Sequence, residues 1–226
     1  MERALTRLGT EEGVRELRIA LEREYPDWDN FAVTLGWDRI VVSAAAKEEN
    51  RRFQGLSVEE GASRFGFSDA VALAAHLMHT EDGKTAIINY SMCRDDIDAV
   101  ARLPYFSFIS DAIYADTDSP HPRMYGAMPR VIREFVRERG VLTLGEAIRK
   151  MTSLPARRMG IRDRGELKEG YFADVAMFDP AAFRDNATYA DPACCATGLS
   201  LLLVNGKKAV VNDEVTDAAS GRCLRV

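Results

Sequence analysis

The sequence predicts an α/β fold that is followed by a small β region, and three features of the chain support this class. Apolar runs of strand length alternate with segments of helical periodicity over the first 160 residues. From Ile161 onwards, short apolar runs are separated by turn residues instead. Asn205-Gly206, between two such runs, is a strong signal for a β-hairpin. We therefore predict one domain over residues 1–160 and a small β-sandwich-like domain over residues 161–226.

Strands and helices are predicted to alternate in the first region. Its strands are Trp37–Ser43, Thr85–Ser91 and Phe106–Ile109. Its helices cover 13–24, 71–80, 95–103 and 130–139, and two more begin at the capping boxes Ser57-Val-Glu-Glu60 and Thr143-Leu-Gly-Glu146. This spacing is typical of βαβ units, which predicts parallel strands joined by crossover helices.

The number of predicted strands indicates an incomplete fold. Three strands cannot close an eight-stranded barrel, which takes about 250 residues. In the second region, strands are predicted within Glu166–Phe178, Leu201–Val211 and Gly221–Val226. These are too few for a self-sufficient sandwich. We therefore expect that a segment that pairs with both regions is missing.

Composition argues against several classes of protein. The chain has 226 residues and a net charge of −5 without a continuous basic patch, which argues against a nucleic-acid partner. No apolar run approaches about 20 residues, so no membrane span is expected. The N-terminus lacks the apolar core of a signal peptide, and the four cysteines lack metal-binding spacing. We expect a cytoplasmic protein with reduced thiols.

Asp111 is the first candidate for a catalytic residue. It follows the apolar run Phe106–Ile109, and α/β enzymes place their chemistry in the loops at the carboxyl ends of buried strands. An ionised carboxylate there can act as a base or as a metal ligand. Alternatively, Ser110-Asp111 is a turn or a helix N-cap. Asp116 and Asp118 are interpreted as solvated loop residues.

The loop after Asp111 contains two candidates for ligand binding. His121 stands between Pro120 and Pro122, whose rigid backbone could direct its ring and Arg123 towards a ligand. An arginine in such a position can bind a carboxylate through two parallel hydrogen bonds. The alternative is a loop that is held together by local hydrogen bonds.

His76 and His79 are the other two histidines, three residues apart on a predicted helix. They could share a face and bind a metal, but no acidic residue completes an HExxH pattern. The alternative, which we favour, is that they are surface or partly buried side chains without a ligand. The sequence also lacks a P-loop, a GxGxxG motif and a GxSxG motif, so neither nucleotide binding nor a serine nucleophile is supported.

Taken together, several segments resemble the C-terminal part of the N-acyl-D-amino-acid deacylases (D-aminoacylases) of the amidohydrolase superfamily. The similarity covers roughly residues 85–226 and extends more loosely from Trp37. The matching segments are Ile109-Ser-Asp-Ala112, His121-Pro-Arg-Met-Tyr-Gly126, Pro129-Arg130, Glu146–Pro155, Gly170–Pro180, Val204-Asn-Gly206 and Gly221–Arg225.

This resemblance implies the last strands and helices of a distorted (β/α)8 barrel, followed by part of a small β domain. It implies a zinc-dependent hydrolase that cleaves the amide of N-acyl-D-amino acids. Asp111 takes the position of the aspartate that transfers the proton and can also contact the metal. Ser43 falls in the segment between the sixth and seventh strands, where it is a candidate for binding the substrate carboxylate with His121 and Arg123.

The chain also departs from the family pattern. The family's His-x-His motif, its cysteine ligand and its later metal-binding histidines have no counterpart in this sequence. Both glycines of the usual Gly-Ser-Asp-Gly are replaced in Ile109-Ser-Asp-Ala112. A catalytic zinc typically takes three protein ligands, so this chain is expected to bind none by itself.

Two hypotheses follow for the function of the chain. In the first, it is the C-terminal portion of a zinc-dependent deacylase, inactive alone and in need of the missing N-terminal half. In the second, it is a non-catalytic assembly or binding domain, such as a homo-oligomer of half-barrels, in which exposed apolar faces drive association.

Overall fold

The structure is a computed structural model that describes residues 2–113, 120–189 and 191–224. The chain divides into two compact units, Met1–Met92 and Cys93–Val226. The boundary predicted near residue 160 falls inside the second unit, so the division into domains 1–160 and 161–226 stays a prediction. Among the described residues, no helix is both long enough and apolar enough to cross a membrane.

The first unit combines helices with a two-stranded sheet. Its α-helices are α1 (Glu2–Arg7), α2 (Glu11–Ala20), α3 (Phe31–Thr34), α4 (Val58–Phe65) and α5 (Ala70–Thr80). Short 3₁₀-helices cover Trp37–Arg39 and Glu48–Phe53, and the strands are β1 (Ile40–Ala44) and β2 (Ala86–Asn89). The capping box at Ser57 is confirmed, because the Ser57 hydroxyl accepts a hydrogen bond from the Glu60 amide at 3.1 Å.

The prediction of parallel strands is wrong for β1 and β2, which pair antiparallel with Ile40 opposite Asn89. The connection between them explains the difference. One crossover helix would return the chain to the end where β1 began, and the next strand would then run parallel to β1. Here α4 and α5 pack as two consecutive helices, which bring the chain back to the end where β1 finished.

The core of the first unit forms between β1 and the helix pair. Alternate residues of β1, Ile40 and Val42, are buried against Phe53, Leu73 and Leu77. This follows from the period of two in a strand, which directs every second side chain to the same face. The helix pair therefore covers one face of the small sheet.

The second unit carries the remaining helices and a four-stranded antiparallel sheet. Its helices are α6 (Arg94–Arg102), α7 (Arg123–Arg130), a π-helix that continues α7 (Val131–Glu138), α8 (Leu144–Met151) and α9 (Ser153–Arg158). The strands β3 (Val175–Phe178), β4 (Leu199–Val204), β5 (Lys207–Val211) and β6 (Glu214–Val215) pair in the order of the chain.

The predicted hairpin at Asn205-Gly206 is confirmed. Asn205 and Gly206 join β4 to β5 with φ angles of 49° and 77°, as a type I′ turn requires. The strand predicted within Glu166–Phe178 is confirmed and occupies Val175–Phe178. The prediction of a last strand is wrong for residues 221–224, which form no strand, while residues 225–226 lie outside the described residues.

Phe106–Ile109 is not a strand, although its length and composition predict one. The Phe108 amide donates a hydrogen bond to the Lys150 carbonyl oxygen at 3.2 Å, and its ring packs against Phe135 at 5.4 Å. A strand needs a neighbouring strand that completes its backbone hydrogen bonds, and this segment has none among the described residues. Helix α8 therefore holds the segment that leads to Asp111.

Candidate active site

Asp111 lies in a backbone conformation that few residues adopt. Its φ angle is +47°, in the left-handed region that costs residues with a Cβ atom about 1–2 kcal/mol. Aspartate tolerates this region better than most residues because its short polar side chain can bond locally. Asp111, and neither Ile109 nor Ala112, is the left-handed residue of this turn. The side chain is 66% exposed.

Arg123 and His121 lie beside Asp111, as the sequence predicts for a common site. The Arg123 guanidinium forms an ion pair with the Asp111 carboxylate at 3.0 Å. The Arg123 amide donates a hydrogen bond to Nδ1 of His121 at 3.1 Å. Because Nδ1 accepts this bond, the proton of the neutral imidazole is on Nε2. The loop thus combines a carboxylate, a guanidinium and an imidazole N–H donor.

The environment of His121 favours its neutral form. Burial lowers the pKa of His121, and the positive charges of Arg123 and Arg130 lower it further, while the charge of Asp111 opposes this shift. The ring also packs edge to face against Tyr189, with 5.4 Å between the centroids. At neutral pH this histidine is therefore a neutral donor through Nε2.

Ser43 belongs to the first unit, so its role stays a prediction. It lies in β1, and its carbonyl oxygen accepts a hydrogen bond from the Gln54 side chain at 3.4 Å. Asp116 and Asp118 lie outside the described residues. Asp111, His121 and Arg123 are therefore the predicted site residues that the structure brings together.

Gly126 shows why the sequence motif after His121 ends in glycine. A Cβ atom at this position would come within 2.8 Å of the Asp185 Cβ. Asp185 in turn forms a two-pronged ion pair with Arg133, with distances of 2.6 and 3.2 Å. The glycine therefore allows the segment around Asp185 to approach α7 closely.

Lys150 is a structural residue of the site that the sequence does not reveal. Its side chain has no exposed surface, and Nζ donates hydrogen bonds to the carbonyl oxygens of Leu103 and Phe106, the latter at 3.2 Å. The Lys150 backbone carbonyl also accepts the Phe108 amide. One residue therefore fixes both ends of the segment that leads to Asp111. Its only signal in the sequence was its place in the matching segment Glu146–Pro155.

Replacing Lys150 by methionine is expected to lower the free energy of unfolding by about 1–3 kcal/mol, because it leaves two carbonyl groups without their donor. Amide exchange at Phe108 should become faster. Urea unfolding and hydrogen exchange followed by NMR measure the two effects. Lys207→Met, at an exposed position of β5, is the matched control and should change neither quantity. Unchanged exchange at Phe108 in Lys150→Met would contradict the positioning role.

A buried carboxylate, Glu134, organises a second cluster that the sequence analysis missed. Its oxygens bind the guanidinium groups of Arg94, Arg130 and Arg139, and Arg139 also binds Asp98. Burial alone raises the pKa of Glu134, but the hydrogen bonds and charges of Arg130 and Arg94 outweigh burial and lower it. The spacing of Arg130 and Glu134, four residues apart, was the only local signal of this cluster.

Comparison with known proteins identifies the family. The model of the amidohydrolase family matches residues 10–210. The chain belongs to the amidohydrolase family. A D-aminoacylase of Alcaligenes xylosoxydans xylosoxydans is 36% identical over 61% of this chain and 28% of its own length. The N-acyl-D-glutamate deacylase of the same organism is 37% identical over 76% of this chain and 33% of its own length.

Solved structures agree with this assignment to the amidohydrolase family. A crystal structure of D-aminoacylase superposes with a TM-score of 0.69 at 28% identity, over 81% of this chain and 37% of that protein. The structure of an N-acyl-D-glutamate deacylase from Bordetella bronchiseptica, complexed with zinc and a phosphonate inhibitor, superposes with a TM-score of 0.65 at 31% identity. This match covers 76% of this chain and 34% of that protein. The resemblance to the deacylases and the partial amidohydrolase barrel are thus confirmed, and the chain spans about a third of the length of these relatives.

The side chains that the structure describes do not form a site that fits a zinc ion. Among residues 2–113, 120–189 and 191–224, no three histidine, cysteine, aspartate or glutamate side chains lie close enough together to share a metal. His76 and His79 each have one ring nitrogen engaged, with Asn50 at 3.3 Å and with the Leu5 carbonyl oxygen at 2.8 Å. At the candidate site the described residues supply a carboxylate, a guanidinium and an imidazole, and none of them belongs to a metal-binding cluster.

Proposed function

We propose that this chain is the portion of an N-acyl-D-amino-acid deacylase that supplies the proton-transferring carboxylate, and that it is inactive by itself. The observation that carries the proposal is the contact between Asp111 and Arg123, beside His121, in a chain whose relatives are deacylases. This arrangement places the Asp111 carboxylate, which can act as a base, beside the Arg123 guanidinium and the His121 imidazole, which can bind the carboxylate of an amino acid.

The chemistry assigned to Asp111 is transfer of one proton. As water attacks the carbonyl carbon of the substrate amide, the carboxylate accepts a proton from that water. The C–N bond then breaks, and Asp111 gives the proton to the leaving nitrogen. The products are a carboxylic acid and a free D-amino acid. The partly exposed side chain can reach a substrate without displacing packed residues.

Arg123 and His121 are assigned to the substrate carboxylate. Arg123 forms its ion pair with Asp111 in the unliganded chain, and a substrate carboxylate would compete for the same guanidinium. Binding of the substrate would thereby release the Asp111 carboxylate for its role as base. His121 adds a neutral donor through Nε2.

The zinc of the related deacylases has to be held by residues outside those described here. We therefore propose that the chain alone binds no catalytic zinc and pairs with a polypeptide that supplies the metal ligands. The side chains of Ile109 and Ile113, which flank Asp111 in the sequence, are apolar and exposed, and they are suited to such a contact. The four free cysteines support the proposal of a cytoplasmic location.

Exposed apolar side chains also favour a second candidate function, a homo-oligomer without catalysis. Ile87 of β2 and Met92 add to the exposed apolar surface of the first unit. In this alternative, identical chains cover these surfaces for each other. Analytical ultracentrifugation of the purified chain, combined with activity assays, distinguishes the two candidate functions. A stable homo-oligomer that shows no deacylase activity, either alone or in the chimera described below, would favour the second candidate.

The decisive experiment is a chimera in which this chain replaces the matching portion of the Alcaligenes D-aminoacylase. We expect the chimera to hydrolyse N-acyl-D-amino acids in the presence of zinc, and the chain alone to show no turnover. Turnover by the isolated chain with stoichiometric zinc would overturn its proposed inactivity. A folded, zinc-loaded chimera without activity would overturn the proposed function.

A further inference from the structure

A short segment between β3 and β4, residues 185–189, lies against helix α7 and its π-helical continuation. Asp185 uses both carboxylate oxygens to bind the guanidinium of Arg133, at 2.6 and 3.2 Å. The Asp185 Cβ atom comes so close to Gly126 that a Cβ atom there would lie only 2.8 Å away. Ala187 is buried at 7% exposure. The segment is therefore packed on the helix that follows His121 in the chain.

Hydrogen bonds also fix the backbone of this segment. The Asn186 side chain donates to the Cys195 carbonyl oxygen at 2.9 Å. The Thr188 amide donates to the Asp191 carbonyl oxygen, and the Thr188 hydroxyl accepts a hydrogen bond from the Asp191 amide, both at 2.9 Å. Tyr189 lies within the turn that these two bonds close. The position of its backbone is therefore set by the fold and not by contact with a ligand.

The Tyr189 ring contacts the candidate active site at His121. The two ring centroids are 5.4 Å apart and the ring planes meet at 84°, which is an edge-to-face pair. Tyr189 is 39% exposed, and His121 is exposed as well, so the pair lies at the surface and outside the buried core. A surface pair contributes little to core packing, but it restricts the rotation of both rings.

Two contacts together fix the orientation of the His121 imidazole. Nδ1 accepts the hydrogen bond from the Arg123 amide at 3.1 Å, which sets the direction of one ring nitrogen. A single hydrogen bond still allows the ring to tilt about that nitrogen. The Tyr189 ring lies across this tilt and restricts it. The N–H group at Nε2, on the other side of the imidazole, is therefore held in one direction.

We propose that Tyr189 is a positioning residue of the candidate site, whose ring holds the His121 imidazole so that Nε2 can donate to the substrate carboxylate. The inference rests on the proposed function, which assigns His121 to that carboxylate. Tyr189 acts through His121 and touches none of the reacting atoms in this role. Loss of its ring should therefore weaken substrate binding and leave proton transfer by Asp111 intact.

The first arm of the test follows His121 in the isolated chain by hydrogen exchange and NMR. Tyr189→Leu keeps apolar bulk but removes the ring. We expect it to accelerate exchange at the Arg123 amide about two- to tenfold, the shift in equilibrium that one aromatic pair supports. Tyr189→Phe keeps the ring and should exchange at the parent rate. Tyr25→Leu removes one ring of the pair with Trp28 and is the matched control, with unchanged exchange at Arg123.

A merely structural role for Tyr189 predicts a different pattern. If the ring only stabilises the fold, Tyr189→Leu lowers the unfolding midpoint and leaves exchange at the Arg123 amide at the parent rate. Unchanged exchange at this amide overturns the inference, whatever happens to the midpoint. Equal acceleration in Tyr189→Leu and Tyr189→Phe also overturns it, because the hydroxyl group and not the ring contact would then be responsible.

The second arm uses the chimera and separates this inference from the proposed function. We expect Tyr189→Leu to raise KM for N-acetyl-D-leucine about two- to tenfold with kcat nearly unchanged, because the carboxylate contact exists before and during the reaction. Tyr189→Phe should keep the KM of the parent chimera. Hydrolysis by the parent chimera with the same KM in Tyr189→Leu overturns this inference alone. A folded, zinc-loaded parent chimera that hydrolyses nothing overturns the proposed function.

Discussion

Asp111→Asn is expected to lower kcat/KM of the chimera by about 10²- to 10⁴-fold, the usual contribution of a positioned proton-transferring group. An amide cannot accept a proton from water and deliver it to the leaving nitrogen. The loss should appear mainly in kcat, since Arg123 still binds the substrate carboxylate. Steady-state kinetics with zinc present throughout measure this effect. Activity within tenfold of the parent would remove Asp111 from the mechanism.

The backbone at Asp111 determines which substitution gives a clean result. Asparagine tolerates the left-handed conformation as well as aspartate does, whereas alanine would add backbone strain to the loss of the carboxylate. Asp82 offers a matched control because it also has a positive φ angle, 54°, outside the candidate site. Asp82→Asn should leave kcat and KM of the chimera unchanged. A similar loss in both variants would point to folding instead of chemistry.

Glu134→Gln is expected to lower the free energy of unfolding by about 2–4 kcal/mol. The substitution replaces one accepting oxygen with an NH₂ group, which faces a guanidinium donor without any partner. It also removes the negative charge that the three guanidinium groups share around the buried Glu134 side chain. Urea unfolding measures the change. Glu138→Gln, on the same π-helix but half exposed, should cost less than about 1 kcal/mol.

The effect of Glu134→Gln should depend on pH. The folded state lowers the pKa of Glu134 below its ordinary value of 4.5, so the folded chain binds this proton less tightly than the unfolded chain. The stabilisation is therefore complete above about pH 4.5 and is lost as the pH falls through the lowered folded value. The difference between the parent and Glu134→Gln should shrink over that acidic range. A difference that stays constant down to pH 3 would contradict this assignment.

Local signals predicted much of the fold because local physics decides those features. Asn205-Gly206 adopts positive φ angles with little strain, and the hydroxyl groups of Ser57 and Thr143 satisfy the first amides of their helices. The direction of β2 depends instead on how α4 and α5 pack. Phe106–Ile109 has strand composition, but its partner is a helix end that lies more than forty residues further along the chain.

The candidate site was predictable through its motif, but its geometry was not. The motif identified Asp111 and, after the turn, His121 and Arg123. The ion pair between Asp111 and Arg123 and the position of the proton on His121 depend on side-chain orientations, which the spacing of residues in the sequence does not determine. The cluster at Glu134 joins residues of α6, α7 and the π-helix, so only tertiary packing creates it. Lys150 escaped notice because a buried lysine is rare and composition gives no sign of it.

Because Lys150 is completely buried, the rate of its chemical modification reports local opening of the folded chain. Amine-reactive reagents modify lysines only when the side chain is accessible, so Lys150 reacts only while the segment from Leu103 to Phe108 is detached. The modification rate at this one position, read by peptide mass spectrometry, then measures the free energy of that local opening. Exposed lysines such as Lys207 and Lys208 provide the reference rate within the same molecule. The order of the segment before Asp111 can thus be followed in any assembly of the chain without an activity assay.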